Sequence, residues 1–318
     1  MVTVIGGGVI GLSIAWRLSQ KGVRVVVEDA GNLGGEASSA GAGMLHPSGE
    51  FTSPSIWTEL GSASYAMYPA FISELAADTG IAIDYQVCGA IEYGPSGEEH
   101  LSSDAAYVDP GDLNKALRAA CLARGVEIRK GRLTLEVDAG SADALVIAAG
   151  AWSGRIAVTT HGRRLTLPAA LPVKGHLVGY NMPPGSLGRI RRRGHTYVLQ
   201  RASGFTVAGS NEERIGFDSS VNRDTCDHIH AEAAQLWPEL ASRAPDKCWI
   251  GFRPATEDLL PQIGRVDDTN VWLAYGHYRN GFLLAPVTAD RISKSIESAA
   301  SRTKIGSGSI SMSNSEKD

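Results

Sequence analysis

The sequence is poor in cysteine and has no long apolar run. Its 318 residues include only four cysteines, Cys88, Cys121, Cys226 and Cys248, with no C-x-x-C pair among them. Neither a disulfide framework nor a cysteine-based zinc site is therefore expected. No apolar stretch approaches the roughly 20 residues of a membrane span, and no basic leader precedes the first apolar residues. We therefore expect a cytoplasmic protein with no membrane partner.

The sequence also lacks a large excess of charge of one sign. Its 30 Lys and Arg against 34 Asp and Glu give a net charge of −4, which predicts no nucleic-acid partner. One basic run, Arg189 and residues 191–193, is typical of a solvated loop. The pair His228 and His230 falls in a predicted helix with no ligand partner evident nearby, so no metal site is predicted.

The first thirty residues predict a strand, a helix and a second strand. Val2–Ile5 is a short apolar run, Val9–Gln20 carries apolar residues at helical spacing, and Arg24–Glu28 is β-branched and followed by Asp29. Such a βαβ unit requires a parallel sheet with helices on its faces. The turn between the first strand and the helix reads G-x-G-x-x-G, residues 6–11.

In this setting the glycine motif predicts a dinucleotide site. Gly6 permits the tight turn, Gly8 lets the backbone approach a pyrophosphate, and Gly11 lets the helix pack against the sheet. Strand alternation favours Asp29 as the residue that hydrogen-bonds a ribose hydroxyl, with Glu28 as the alternative. An acid at this position argues against NADP, but the motif alone does not separate FAD from NAD.

The remaining patterns predict a discontinuous α/β domain with an antiparallel sheet inserted into it. Helices are expected at Ile56–Thr79, Asp109–Arg124 and Leu283–Ile296, with a buried strand at Asp143–Ala149. The segment from Leu165 to about Ala244 alternates strands and turns. The nucleotide-binding domain would span residues 1–80, 105–160 and 245–300, the substrate domain 81–104 and 161–244, and residues 301–318 would be a disordered tail.

Four separated motifs resemble one family of flavoenzymes. They are the segments Gly34–Leu45, Ala148–Ser153, Gly251–Thr256 and Gly276–Gly281. Together they closely resemble the glycine oxidases of thiamine (thiazole) biosynthesis, members of the D-amino-acid oxidase family. The resemblance implies a Rossmann-like FAD-binding domain of the glutathione-reductase type and non-covalent FAD. It also implies oxidation of glycine, sarcosine or a small D-amino acid, with oxygen reduced to hydrogen peroxide, and it allows a homo-oligomer.

The same resemblance assigns substrate-binding residues. Arg253 matches the arginine that binds the substrate carboxylate, and a guanidinium does so with two parallel hydrogen bonds. Tyr197 matches a tyrosine that assists this binding, and Arg279 matches a second arginine near substrate and flavin. His195 lies two residues before Tyr197, on the same predicted strand face, and is expected at the pocket.

The resemblance also assigns residues around the flavin. The small residues from Ser38 to Met44 allow close approach of the backbone, and the amides from His277 onwards would stabilise negative charge on the reduced flavin. The expected cofactor residues beyond the glycine motif and its acids are Ser38, Ala42, Gly43, Met44, Gly150, His277, Asn280, Gly281 and Phe282.

The sequence is some tens of residues shorter than is typical of the family. The shortfall falls near Ile91–Tyr107 and near Arg132–Ser141, which predicts a thinner cover over the substrate pocket. Two alternatives stay open at this point. The protein could pass electrons to a quinone or carrier as a dehydrogenase, or it could bind flavin without catalysis. His176, in the segment Lys174–His176, has no assigned role.

Overall fold

Helices and strands alternate along the chain in this computed structural model, which describes residues 1–31, 33–47, 56–131 and 136–307. In these ranges the α-helices are α1 (Val9–Gln20), α2 (Ala37–Ala40), α3 (Ile56–Thr79), α4 (Pro110–Ala123), α5 (Arg223–Leu236) and α6 (Gly281–Ser307). The strands are β1 (Val2–Ile5), β2 (Val25–Asp29), β3 (Met44–Leu45), β4 (Tyr85–Val87), β5 (Ala90–Tyr93), β6 (Glu99–Ser102), β7 (Ala106–Val108), β8 (Glu127–Lys130), β9 (Glu136–Asp138), β10 (Ala144–Ile147), β11 (Ala157–Thr160), β12 (Arg163–Arg164), β13 (Leu171–Asn181), β14 (Ile190–Arg193), β15 (Thr196–Gln200), β16 (Phe205–Gly209), β17 (Lys247–Ala255), β18 (Gln262–Arg265) and β19 (Val271–Tyr275).

Local sequence signals mark the start of α4, whereas α6 extends beyond its predicted end. The Asp109 side chain caps α4 by accepting from the Asp112 amide, and Pro110 occupies the first turn. Helix α6 continues to Ser307, so the prediction of disorder from Ser301 is wrong for residues 301–307. Residues 301–307 contain no proline. The backbone hydrogen bonds of the helix can therefore continue beyond Ser301. Residues 308–318 of the predicted tail lie outside the described residues.

A six-stranded sheet forms the nucleotide-binding half. Its order is β18-β19-β10-β1-β2-β8, and every pair is parallel except β18 with β19. Apolar side chains of α1, α4 and α6 bury one face of this sheet, with Trp16 and Ile292 fully enclosed. The predicted α/β class is confirmed, and the carboxyl ends of β1 and β2 open toward the place where such sheets bind ligands.

A seven-stranded sheet forms the second half, in the order β17-β13-β16-β15-β14-β5-β6. All its pairs are antiparallel except β14 with β5. Helix α5 packs on this sheet through a core that includes Val178, Ile229 and Trp237. Strand β4 falls in the stretch 81–104 but pairs with β7, in a third sheet with β3.

The regions of predicted shortening have a simple form where they are described. Residues 90–102 make the hairpin of β5 and β6, and the sequence then enters β7 directly. Residues 132–135, in the second of these regions, lie outside the described residues. Among the helices that the structure describes, none combines the length and the apolar character needed to cross a bilayer.

The two halves meet where α2 lies against β17. The Trp249 indole donates a hydrogen bond of 2.9 Å to the Ala40 carbonyl. A Cβ atom at Gly251 would lie only 2.6 Å from the Ala40 Cβ, so the two backbones are in close contact. This junction fixes the position of the seven-stranded sheet relative to the glycine-rich turn.

Candidate active site

A cavity of about 650 Å³ connects the two halves of the protein. At one end its wall is formed by the glycine-rich turn with Glu28 and Asp29. At the other end the wall is formed by the seven-stranded sheet, with Tyr197 and Arg253, and by Tyr278 before α6. An elongated ligand can therefore contact both the helix α1 terminus and the sheet.

The glycine-rich turn carries the features of a phosphate-binding site. Asp29 Oδ2 accepts a hydrogen bond of 2.7 Å from the Gly7 amide, and Ser38 Oγ accepts one of 2.9 Å from the Val9 amide. A Cβ atom at Gly11 would lie 1.9 Å from the Gly6 carbonyl oxygen. This close packing holds the start of α1, with its free amides and positive helix dipole, against the cavity.

Nine of the predicted cofactor residues line the cavity. They are Gly6, Gly8, Glu28, Asp29, Ser38, Gly150, His277, Gly281 and Phe282. They come from five separate places in the sequence: the glycine turn, the end of β2, α2, the turn after β10, and the start of α6. The fold therefore gathers distant segments at one cavity wall.

Five predicted cofactor residues lie outside that wall. They are Gly11, Ala42, Gly43, Met44 and Asn280. Gly11 packs under the turn. Asn280 is buried, and its backbone amide donates a hydrogen bond to the His277 carbonyl. Gly43 and Met44 use their backbones to pair with the β7 region, while Ala42 and Met44 pack in the apolar cluster that includes Tyr197.

Arg253 points into the cavity from β17. Its Nη1 donates a hydrogen bond of 3.0 Å to the backbone carbonyl of Asn211, and its Nη2 donates one of 2.7 Å to Ser210 Oγ. Burial, followed by the nearby charge of Arg279, lowers the pKa of Arg253. A Cβ atom at Gly175 would lie 2.4 Å from both terminal nitrogens, so only glycine leaves room for this guanidinium.

Tyr197 forms the neighbouring part of the wall, from β15. It is 6% exposed and lies opposite Gly209 of β16. A Cβ atom at Gly209 would lie 3.0 Å from the Tyr197 hydroxyl oxygen, so the bare backbone there accommodates the phenol. The sheet therefore presents Tyr197 and Arg253 to the same cavity.

Arg279 and His195 contact one another just outside the wall. Arg279 Nη1 lies 2.8 Å from His195 Nδ1 and 3.1 Å from Glu212 Oε1. His195 immediately precedes β15, and its backbone carbonyl accepts a hydrogen bond from the Ser210 amide next to the β15–β16 pairs. It is exposed, and its ring contacts Arg279 rather than lining the cavity.

Tyr278 and Glu212 complete this end of the site and were not predicted. Tyr278 lines the cavity, and its side chain hydrogen-bonds to Glu212. Burial and that bond raise the pKa of Tyr278 to about 12. Burial alone would raise the pKa of Glu212, but the Tyr278 bond and the charges of Arg279 and Arg253 outweigh it and lower the pKa. Glu212 is therefore a carboxylate at neutral pH.

A sequence motif includes Tyr278, but none includes Glu212. Tyr278 lies inside a motif that was already singled out, next to Arg279, so its proximity to the cavity could have been inferred. Glu212 follows the end of β16 in a polar loop and belongs to none of the motifs. Its position becomes apparent only when the loop after β16 and the turn before α6 come together.

His277 supplies a pH-dependent term to stability. It is 1% exposed, its Nε2 lies 3.0 Å from Thr288 Oγ1, and burial lowers its pKa to about 3. Because an unfolded histidine titrates near pH 6.5, the unfolded chain binds the extra proton between these values. We expect this residue to reduce the free energy of unfolding as pH falls from about 6.5 toward 3, by at most about 1.4 kcal/mol per pH unit.

Urea unfolding at several pH values measures this term. His277→Asn should lose the His277 contribution, so its free energy of unfolding should fall less steeply with decreasing pH than that of the wild type. His161→Asn is the matched control, since His161 is exposed in the turn after β11. Equal slopes for His277→Asn and wild type would contradict the assignment.

Three comparisons place this geometry among known proteins. The family model described as FAD dependent oxidoreductase (DAO) matches residues 1–103 and 96–295. The glycine oxidase of Pseudomonas putida is 32% identical, with 90% of this chain and 92% of the relative covered. The bifunctional protein ThiO/ThiG of a Synechocystis species is also 32% identical, over 92% of this chain. This chain spans only 51% of the length of that protein.

A solved structure agrees with the sequence comparisons. The crystal structure of glycine oxidase from Geobacillus kaustophilus matches with a TM-score of 0.86 at 27% identity, over 93% of this chain and 94% of that one. The predicted resemblance is confirmed, and the cavity with its glycine turn, Asp29 and free helix terminus fits a dinucleotide. The chain belongs to the DAO family of FAD-dependent oxidoreductases, and it is an FAD-binding enzyme.

Proposed function

We propose that this enzyme oxidises glycine or a similarly small amino acid and passes the electrons to oxygen, releasing hydrogen peroxide. The observation that supports this most directly is the position of Arg253. Its guanidinium is largely enclosed at the end of the cavity, and its described hydrogen bonds go to two uncharged oxygens. A partly buried cation whose hydrogen bonds go to uncharged oxygens is suited to bind an anionic ligand.

Chain segments at both ends of the cavity would hold FAD. The amides of the glycine turn would contact the pyrophosphate and Asp29 the adenosine ribose, as in other dinucleotide sites. Gly281 and Phe282 lie at the start of α6, where backbone amides favour negative charge. Bound FAD supplies the hydride acceptor for the reaction.

The protein's own groups would act mainly by orienting the substrate. Arg253 would form two parallel hydrogen bonds to the substrate carboxylate, and the Tyr197 hydroxyl would add a third. Apolar side chains narrow this end, since Trp152 and Phe252 line the cavity and stack edge to face with ring centroids 6.0 Å apart. Once the amine is neutral, its lone pair assists hydride departure, so positioning replaces a strong base.

Anaerobic mixing with a panel of small amino acids tests the proposal. Glycine, sarcosine or a small D-amino acid should bleach the flavin absorbance under nitrogen, and readmitted air should restore it with release of peroxide. Bleaching that quinone or a carrier protein reverses but air does not would identify a dehydrogenase. A bound flavin that no amino acid bleaches would leave a binding protein without this catalysis.

Asp29→Ala should weaken FAD binding. A hydrogen bond to a charged group contributes about 1.5–3 kcal/mol, so the dissociation constant for FAD should rise about tenfold or more. Titration of apoprotein with FAD, followed by flavin fluorescence, measures it. Glu28→Ala is the matched control, because the Glu28 carboxylate lies 3.6 Å from Arg129 Nη1. A larger effect from Glu28→Ala would transfer the ribose contact to that residue.

We also infer a reducing cellular compartment such as the cytoplasm. All four cysteines are free thiols, and Cys121 and Cys226 are buried. Proteins kept in oxidising compartments more often carry disulfides. Cell fractionation with an antibody against the protein tests this, and recovery outside the cytoplasm would contradict it.

A further inference from the structure

At the substrate end of the cavity, a carboxylate of the protein itself forms an ion pair with one of the two arginines. Glu212 Oε1 lies 3.1 Å from Arg279 Nη1, and the two side chains are 33% and 12% exposed. Tyr278 hydrogen-bonds to the same carboxylate from the cavity wall. Glu212 is therefore held on two sides, next to the place where the substrate carboxylate would bind Arg253.

The three charged groups leave one net positive charge at this end. Arg253 and Arg279 are cations, and Glu212 is an anion with a lowered pKa. An amino acid that is ready to lose a hydride has a carboxylate and a neutral amine, which is one net negative charge. The pocket and such a substrate are therefore matched in charge.

We propose that Glu212 is a specificity-determining residue that restricts the site to monocarboxylates. This inference rests on the proposed function and narrows its substrate class. Arg279, already bound to Glu212, offers no unopposed charge to a second carboxylate. A dicarboxylate amine such as iminodiacetate would also bring its second negative charge close to the Glu212 carboxylate, and like charges at short range in a partly buried site repel strongly.

Two isosteres without an N–H group measure this selectivity in the absence of turnover. Methoxyacetate replaces sarcosine and diglycolate replaces iminodiacetate, with an ether oxygen in place of nitrogen in both. Calorimetric titration of the FAD-loaded enzyme at low ionic strength should show methoxyacetate binding at least tenfold more tightly than diglycolate. Equal affinities in the wild-type enzyme would overturn the proposal.

Glu212→Gln should narrow or reverse that preference. The amide keeps the size of the side chain but removes the charge, so the ratio of the two dissociation constants should shift at least tenfold toward diglycolate. Glu257→Gln removes an exposed carboxylate in the turn after β17 and should leave the ratio unchanged. An unchanged ratio in Glu212→Gln, with methoxyacetate still bound, would overturn the proposal.

A second variant keeps the test decisive if Glu212→Gln does not fold. Glu212→Ala removes the charge without leaving a polar group to satisfy, and the ratio should again shift at least tenfold toward diglycolate. Flavin bleaching by glycine is scored separately. A charge-dependent ratio without bleaching would contradict the oxidation proposal only, whereas bleaching with a charge-independent ratio would contradict the role of Glu212 only.

Discussion

Replacement of Arg253 by alanine is expected to raise the KM for glycine about 30-fold or more. A bidentate, charge-assisted contact between guanidinium and carboxylate is worth about 2 kcal/mol or more, and a truncated side chain loses all of it. The loss should be large because the guanidinium packs against Gly175 at a partly buried site, where solvent screens the contact less than at the surface. Steady-state peroxide production at varied glycine concentration measures the effect.

Arg253→Lys is the informative companion variant. Lysine keeps the positive charge but presents one ammonium group, which cannot make the two parallel bonds of the planar fork. We therefore expect it to recover only a small part of the lost affinity. Unfolding curves for both variants separate a binding defect from a folding defect. An unchanged KM in a folded Arg253→Ala enzyme would remove this arginine from the substrate site.

Gly11→Ala is expected to abolish retention of FAD through purification. The added methyl group would lie 1.9 Å from the Gly6 carbonyl oxygen, and that atom belongs to the backbone. Either α1 or the glycine turn must move, which misplaces the amides that face the cavity. Overpacking of this kind also costs about 1–3 kcal/mol of stability. The ratio of flavin to protein absorbance and a thermal unfolding curve measure both effects.

Gly61→Ala provides the matched control for a glycine within a helix. A Cβ atom at Gly61 of α3 would meet its nearest neighbour, the Leu283 side chain, at 3.4 Å, which is ordinary contact. Alanine also has the higher helix propensity, by up to about 1 kcal/mol. Full flavin content is therefore expected in this variant. Full flavin content in Gly11→Ala as well would contradict the role given to close packing at the turn.

Local patterns predicted much of the nucleotide-binding half. The apolar residues of α3 and the cap and proline of α4 are signals within one segment, and the structure places both helices where those signals indicate. The glycine turn and the position of Asp29 could also be predicted, because the strand, the turn and the helix are adjacent in sequence. Such features need no knowledge of distant contacts.

The substrate end depended more on long-range contacts. Arg279 contacts His195 and Glu212, which are 84 and 67 residues away in the sequence. Hydrophobic periodicity does not predict contacts over such separations. His195 does not line the cavity, because its ring contacts Arg279 at the exposed end of the hairpin. Arg253 and Tyr197 were identified through family motifs rather than physical patterns, because a lone arginine or tyrosine in a strand carries little information by itself.

The cavity wall has a consequence for the order of events during biosynthesis. It draws on segments from Ile5 to Phe282, and β19 and α6 are needed to complete the sheet and its cover. A nascent chain can form the βαβ unit early, but the cavity wall is incomplete until β19 and α6 have left the ribosome. Cofactor capture therefore follows the synthesis of α6, and a chain interrupted before Phe282 would bind no flavin.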